Sequence, residues 1–227
     1  MRTVVEQSVG PVSSFPTVRS RHALLSFAAR VGVLVPDAAP LTDQASLDAW
    51  IASHPMPLVL KADGSWAGFG VRILSSAAKA RSALASMQRP IGLRLALREA
   101  VLEGDRFALR AWMRREPPAL SVQSYIDGWP ANIGVACWKG EILAFTCAEA
   151  VATESATGPS TVARIIDNPD MVEAARKVVS ALGLSGLIGF DFMIEAATGN
   201  AYMIEMNPRN TPICAVRLNP PHDLAEA

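Results

Sequence analysis

One segment limits what this chain can build more than any other: GFDFMIEAATGNAYMIEMNPR, residues 189–209. Alternating residues flank Ala197-Thr198-Gly199, a three-residue loop that closes a β-hairpin with glycine in the left-handed position. That register pairs Glu195 with Ala201 and Asp191 with Glu205, and the two-residue period puts Asn207 on the same face. A two-residue loop would send Asp191 and Glu205 to opposite faces. In the favoured register two carboxylates stand directly opposite each other, which destabilises a sheet unless something positive lies between them. A hard divalent cation resolves the conflict, because magnesium takes oxygen ligands and bridges to phosphates. Asn207 adds an amide oxygen, and Arg209 adds a guanidinium that can fork onto a phosphate. The opposite face, Ile188, Phe190, Phe192 and Ile194 with Tyr202 and Ile204, is apolar and suited to the core. In isolation an acidic hairpin reads more simply as a solvated surface, so the rest of the chain must decide.

A second segment bears on the decision. PLVLKADGSWAGFGVRIL, residues 57–74, is a short apolar strand ending in Lys61, followed by Gly64, Gly68 and Gly70 and a second strand. Such a loop lets backbone N–H groups approach phosphate oxygens closely, and the lysine supplies a compact positive charge. Only four of the 21 basic residues are lysines, so a lysine here is notable. The pattern is not a Walker loop, which ends in GK[ST], nor the dinucleotide fingerprint, whose glycines open a helix rather than a strand. Alone it reads equally as an ordinary β-turn beside a partly buried lysine stem.

Composition narrows the classes. The chain has 227 residues, half of them hydrophobic and 19% charged, with 21 basic against 21 acidic side chains. It can bury enough apolar surface to fold as one or two domains. The neutral balance argues against a general nucleic-acid binder. No apolar stretch approaches the roughly 18 residues of a membrane span. The N-terminal residues lack the apolar stretch of a secretory signal, so a cytoplasmic location is expected. Cys137, Cys147 and Cys214 show no CxxC spacing and read as small buried hydrophobes. The three histidines show no metal-ligand spacing.

Along the chain, residues 1–18 read as an arm. A helix starts after the N-cap Ser20, buries Leu24, Leu25, Phe27, Ala28 and Val31, and ends at Gly32. Pro36 to Pro40 reads as a turn, Leu47 to Ser53 as a helix, Pro57 to Lys61 and Val71 to Leu74 as strands, and residues 76–115 as two or three helices broken at Pro90. Strands are expected over Leu120–Ile126, Ala131–Trp138 and Glu141–Ala148, the last two joined at Lys139-Gly140. An amphipathic helix is expected over Met171–Leu182, strands over Leu187–Glu195 and Ala201–Asn207, and a helix from Ile213. ESATGPSTVAR, residues 154–164, offers Thr157, Ser160 and Arg164 as contacts to a substrate, though a surface loop is the better reading.

Together the two motifs resemble the ATP-grasp superfamily, most closely its carbamoyl-phosphate-synthase-like branch, from about Arg21 to Asp223. Four blocks stand in the family's order. SRHALLSFAARVGVLVP resembles the opening helix, with Arg21 as its phosphate-binding cation. LVLKADGSWAGFGV resembles the lysine strand and flexible glycine loop. VQSYIDGWPANIGVA resembles the hinge strand that receives adenine, and GFDFMIEAATGNAYMIEMNPRNT resembles the metal-binding hairpin. The resemblance implies an α+β ATP-grasp fold over residues 19–227, two α+β subdomains clasping the nucleotide. The lid-bearing subdomain would run over about 45–122 and the metal-binding one over about 123–227. Residues 1–18 would be an arm or the remnant of a preceding domain, and the family's N-terminal pre-ATP-grasp domain is largely missing.

Carried over residue by residue, the resemblance implies that Lys61 touches the nucleotide phosphates and that Gly64, Gly68 and Gly70 cover them. Gln123, Ser124, Tyr125 and Ile126 would line the adenine. Asp191 and Glu205 would hold magnesium, or manganese in its place, with Asn207 as a further ligand. Arg209 would face the transferred phosphate. The implied activity is that of an ATP-dependent carboxylate–amine ligase, with Lys61 and Arg209 as its catalytic cations. ATP would phosphorylate a carboxylate to an acyl phosphate, and an amine or other nucleophile would then displace phosphate. The alternative is a Mg-ATP-binding module without turnover, part of a larger protein. Implied partners are ATP, a small carboxylate and a nucleophile, with a missing N-terminal domain or a second copy completing the protein, and neither nucleic acid nor membrane. The acceptor itself is not named by a resemblance. Arg21 stands where the family often has lysine, and SWAGFG is poorer in glycine than most such loops, which implies a stiffer lid.

Overall fold

The computed structural model describes residues 9–64, 70–89, 92, 113, 117–216 and 224. The chain divides into two compact units, one of Met1–Ala38 with Ile126–Ala227 and the other of Ala39–Tyr125.

The larger unit is built on a five-stranded sheet of order β7-β6-β5-β8-β9, every neighbouring pair antiparallel. Its strands are β5 (Gly128–Trp138), β6 (Glu141–Thr153), β7 (Ser160–Ile166), β8 (Gly186–Glu195) and β9 (Ala201–Asn207). One face carries the core. Ile133, Phe190, Phe192 and Met203 are fully buried there with residues of the helices Arg21–Arg30 and Pro169–Leu182. Truncating Phe190 or Phe192 to alanine would cost about 3–5 kcal/mol.

The first helix begins where expected, with the Ser20 hydroxyl accepting from the Ala23 N–H at 3.3 Å. The second opens on Asn168, whose side chain caps the Met171 N–H at 3.1 Å, followed by Pro169. It buries Met171, Val172, Ala175, Val178, Val179 and Leu182 and stops at Gly183, φ 61°. There the Gly183 and Leu184 N–H groups return to the carbonyls of Ser180 and Val179, a Schellman closure.

The smaller unit is a four-stranded sheet of order β1-β4-β2-β3, made of β1 (Ala38–Leu41), β2 (Leu58–Ala62), β3 (Val71–Leu74) and β4 (Leu120–Ser124). Leu58, Leu60, Leu74 and Val122 form its core with Leu47 and Trp50 of the helix Gln44–Ser53 and Leu84 of the helix Ala77–Met87. A capping box joins Asp43 and Ser46 at the start of the first of these helices. The serine takes the place usually held by Glu or Gln, and the helix begins at Gln44, ahead of the expected Leu47.

Several expectations need correction. The hairpin of β8 and β9 closes through four residues, Ala196–Gly199. The Glu195 N–H donates to Asn200 O at 2.9 Å, and the Gly199 N–H donates to Glu195 O at 2.8 Å. Ile194 therefore faces Ala201 and Phe192 faces Met203, one position earlier than the three-residue loop requires. A register shift beyond Phe192 then restores Asp191 opposite Glu205, with Ile204 as the extra residue of a β-bulge. The carboxylate pairing holds, but the apolar assignment changes. Ala201, Met203 and Met206 are buried, whereas Tyr202 and Ile204 are only half-buried.

Within the segment read as an arm, Val12–Ser14 form a 3-10 turn and Phe15–Arg19 an α-helix. Ala38, Ala39 and Pro40 of the expected Pro36–Pro40 turn lie in a strand, and Ser160 to Arg164 of the expected 154–164 loop lie in β7. Of the helix expected from Ile213, the described residues show a 3-10 turn, Pro212–Ala215, and residues 217–223 lie outside the described residues. Of residues 76–115, Ala77–Met87 is a helix. Pro90 and nearly all of the remainder lie outside the described residues.

Candidate functional site

On the five-stranded sheet, Asp191 on β8 stands opposite Glu205 on β9 and, on its other side, opposite Asn132 on β5. Directly opposed residues share a face, so Asn132, Asp191 and Glu205 form a row across three strands, on the face away from Phe190 and Phe192. One step along, Asn207 lies opposite Gly189, which lies opposite Gly134. A side chain at either glycine would crowd its neighbours. A Cβ at Gly189 would stand 2.5 Å from Thr211 Cγ2, and one at Gly134 would stand 2.8 Å from Cys214 Sγ, because the Pro212–Ala215 turn lies against this face.

Each carboxylate accepts a hydrogen bond. The Asn207 amide donates from Nδ2 to Asp191 Oδ2 at 2.8 Å, leaving its own oxygen as an acceptor. Arg21, the first residue of its helix, donates from Nη2 to Glu205 Oε1 at 2.8 Å. The Arg21 and Glu205 side chains are 10% and 23% exposed. Asn132 Oδ1 is buried and has no hydrogen-bond partner among the described residues. Among the described residues no group of three or more His, Cys, Asp or Glu could hold a metal, so the candidate donors are two carboxylates with amide oxygens.

On the four-stranded sheet, Lys61 faces Ser121 across β2 and β4, and Val59 faces Gln123. The strand period puts Lys61, Ser121 and Gln123 on the face opposite to the Leu58–Leu60–Val122 core. All three are nevertheless buried, at 4%, 3% and 2% exposure. Gln123 Nε2 and Ser121 Oγ have no hydrogen-bond partner among the described residues. Ser124 ends β4, and Ser124, Tyr125 and Ile126 are half-buried. Gly64 has φ 73°, and Gly70 accepts the Ala62 N–H at 2.9 Å, closing the base of the connection from β2 to β3. Gly68 lies outside the described residues.

The structure thus brings Asp191, Glu205, Asn207 and Arg21 together in the larger unit, and Lys61 with Gln123 in the smaller. Arg209 is exposed, with Nη1 donating to Asn210 O at 3.1 Å. Arg164 belongs to a different arrangement, its Nε donating to Glu149 Oε1 at 2.7 Å while Trp129 donates to Glu149 Oε2 at 2.9 Å. Asn132 and Ser121 escaped the sequence reading. The signal for Ser121 was its two-residue offset from Gln123. Asn132 carried none, because its significance is the strand opposite. All three cysteines are buried with free thiols, and burial pushes Cys137 up to about 11 and Cys147 up to about 12. Neither is a thiolate at neutral pH.

Residues 103–212 match the ATP-grasp domain family. Solved structures share the fold over most of this chain. Biotin carboxylase from Campylobacter jejuni in complex with β-γ-ATP superposes with a TM-score of 0.63 at 17% identity, over 88% of this chain and 42% of that one. The L-amino acid ligase from Bacillus licheniformis superposes with a TM-score of 0.61 at 15% identity, over 88% and 42%. D-alanine–D-alanine ligase from Bacillus anthracis complexed with ATP superposes with a TM-score of 0.57 at 16% identity, over 91% and 59%. The chain therefore has an α+β, ATP-grasp-like fold, and it spans less than two thirds of each of these proteins. No curated protein matches it significantly in sequence. Among the described residues no helix is long and apolar enough to cross a membrane.

Proposed function

We propose that this chain is the ATP-binding and metal-binding part of an ATP-dependent carboxylate–amine ligase, of the carbamoyl-phosphate-synthase-like branch. The observation that carries the reading is the Asp191–Glu205 pair, two carboxylates opposed on neighbouring strands beside an orphaned amide oxygen. Such an arrangement is unfavourable by itself and suits a hard cation with all-oxygen ligands. Asp191, Glu205 and the Asn207 oxygen would hold magnesium, or manganese in its place. When bound, the ion would neutralise phosphate charge and so favour transfer to a carboxylate.

The chain's own residues do the rest. Lys61 takes nucleotide phosphate oxygens as a point charge, and Gly64, Gly68 and Gly70 lie over them. Gln123, Ser124, Tyr125 and Ile126 receive the adenine, with the orphaned Gln123 amide supplying a donor. Arg209, exposed and beyond the end of β9, faces the transferred phosphoryl group. Arg21 shares its charge between Glu205 and the phosphates. No enzyme nucleophile is needed, because the carboxylate substrate attacks phosphorus and the incoming amine displaces phosphate. Lys61 and Arg209 stabilise charge that moves during the reaction.

The test is ADP release on incubation with Mg-ATP and pooled carboxylates and amines, comparing wild type with Glu205→Gln. Activity in wild type and none in the variant supports the reading, and equal turnover in both refutes the metal assignment. A second reading is nucleotide binding without turnover, in line with the chain spanning 42% to 59% of the ligases and the carboxylase it resembles. Tight Mg-ATP binding with no ADP release across the panel favours it.

A further inference from the structure

The row on the five-stranded sheet does not end at the acidic hairpin. Its third member, Asn132, comes from a strand that the hairpin reading does not include. Asn132 faces Asp191 on one side and Ala148 on the other, so its lateral neighbours are a carboxylate and a methyl group. Two positions along β5 is Gly134, opposite Gly189, and neither has a side chain to offer a hydrogen bond. Asp191 accepts from Asn207 and Glu205 from Arg21. Asn132 Oδ1 is left buried with no donor among the described residues. An unsatisfied buried carbonyl oxygen is costly, and more so in the field of two anions. A leucine or alanine would avoid that cost. A cation arriving beside the two carboxylates would give that oxygen a partner and turn the cost into a gain.

We propose that Asn132 supplies a further oxygen ligand to the divalent cation, so that the site spans β5, β8 and β9 rather than the β8–β9 hairpin alone. The inference rests on the reading that Asp191 and Glu205 hold that cation. It adds a neutral amide oxygen to two carboxylates. Neutral ligands fill coordination positions without adding the charge repulsion that a third carboxylate would bring. Asn132 Oδ1 and Asn207 Oδ1 would approach from the two sides of Asp191.

The test uses the full chain, Mn2+ as the probe and a fixed concentration of ADP. Free Mn2+ is read by electron paramagnetic resonance for wild type, Asn132→Ala, Asn132→Asp and Glu205→Gln. The expected result is Mn2+ binding weakened about tenfold in Asn132→Ala, which is about 1.4 kcal/mol. Asn132→Asp should bind at least as tightly as wild type, because it keeps an oxygen in place. A metal-free melt of Asn132→Ala should lie at or above the wild-type midpoint, since the orphaned oxygen is gone. If Glu205→Gln loses Mn2+ and Asn132→Ala does not, Asn132 is no ligand while the metal assignment survives. If Asn132→Asp is as weak as Asn132→Ala, the side chain serves Asp191 as a donor, and the proposal falls. If Asn132→Ala melts several degrees below wild type without metal, its role is structural, and the proposal again falls. If neither wild type nor Glu205→Gln binds Mn2+, or both bind it equally, the underlying metal reading fails.

Discussion

The two sheets solve the same problem with opposite chemistry. Each buries one apolar face under helices and carries polar side chains on the other, where the larger sheet also holds a small apolar cluster of Ala136, Ala148, Ile213 and Cys214. On the five-stranded sheet those side chains are oxygen-rich: Asp191, Glu205 and Asn132, whose amide oxygen is the orphan. On the four-stranded sheet they are Lys61, Ser121 and Gln123, and the orphaned amide atom is the nitrogen donor Nε2. One orphan is an acceptor and the other a donor. The backbones differ as well. β5 and β8 place Gly134 against Gly189 so that the Pro212–Ala215 turn can lie close, whereas the four strands of the smaller sheet contain no glycine.

The largest effect that can break this contrast comes from the acidic face. Glu205→Gln keeps the size of the side chain and one acceptor oxygen but removes the charge that faces Asp191. ATP turnover should fall at least about 100-fold, equivalent to about 2.7 kcal/mol of barrier. Far-ultraviolet circular dichroism should be unchanged. A variant with near-normal turnover would show that the acidic row is only a surface. The matching change on the other face is Lys61→Ala. Saturating Mg-ADP should raise the wild-type melting temperature by several degrees, as about 2.7 kcal/mol accrues at a hundredfold excess over the dissociation constant. In Lys61→Ala most of that rise should vanish. A full rise would remove Lys61 from the nucleotide site.

How far the sequence foretold this contrast depends on the range of the interactions involved. Helix starts were legible because a cap lies within three residues of what it caps, as with Ser20 and Ala23. The Asp191–Glu205 pairing was legible because both residues belong to one hairpin. Its details were not. The four-residue turn and the bulge at Ile204 cancel each other, so an incorrect turn still led to the correct pair while misplacing Tyr202 and Ile204. β7 was missed because its residues are nearly all exposed and carry no apolar period. The Arg21–Glu205 contact spans 184 positions, and Asn132 meets Asp191 only through sheet order. Neither leaves a local signal. The reading of Arg21 as a phosphate ligand overlooked the carboxylate that it reaches in this structure.

A smaller effect sharpens the backbone side of the comparison. Gly189→Ala would bring a Cβ to 2.5 Å from Thr211 Cγ2 and 2.7 Å from Thr211 Oγ1. Thr211 and the turn after it would have to retreat, at a cost of about 1–3 kcal/mol. Urea unfolding should register that loss. An unchanged midpoint would show that the turn does not need the glycine and that the closeness of this face is incidental.

The smallest effect separates geometry from environment. Arg21–Glu205 in the larger unit and Arg81–Asp48 in the smaller are both ion pairs of 2.8 Å. Their surroundings differ: the first pair is 10% and 23% exposed, the second 45% and 40%. Water and salt screen the second, and ordering two long side chains offsets what attraction remains. Arg81→Ala should therefore change stability by no more than about 0.5 kcal/mol, with a melting shift of about 1–2 °C. Arg21→Ala leaves Glu205 beside Asp191 with one cation fewer, so its loss should be several times larger and should shrink when Mn2+ is added. Equal losses for the two truncations would mean that contact distance alone sets the worth of these pairs, and that Arg21 contributes nothing particular to the acidic row.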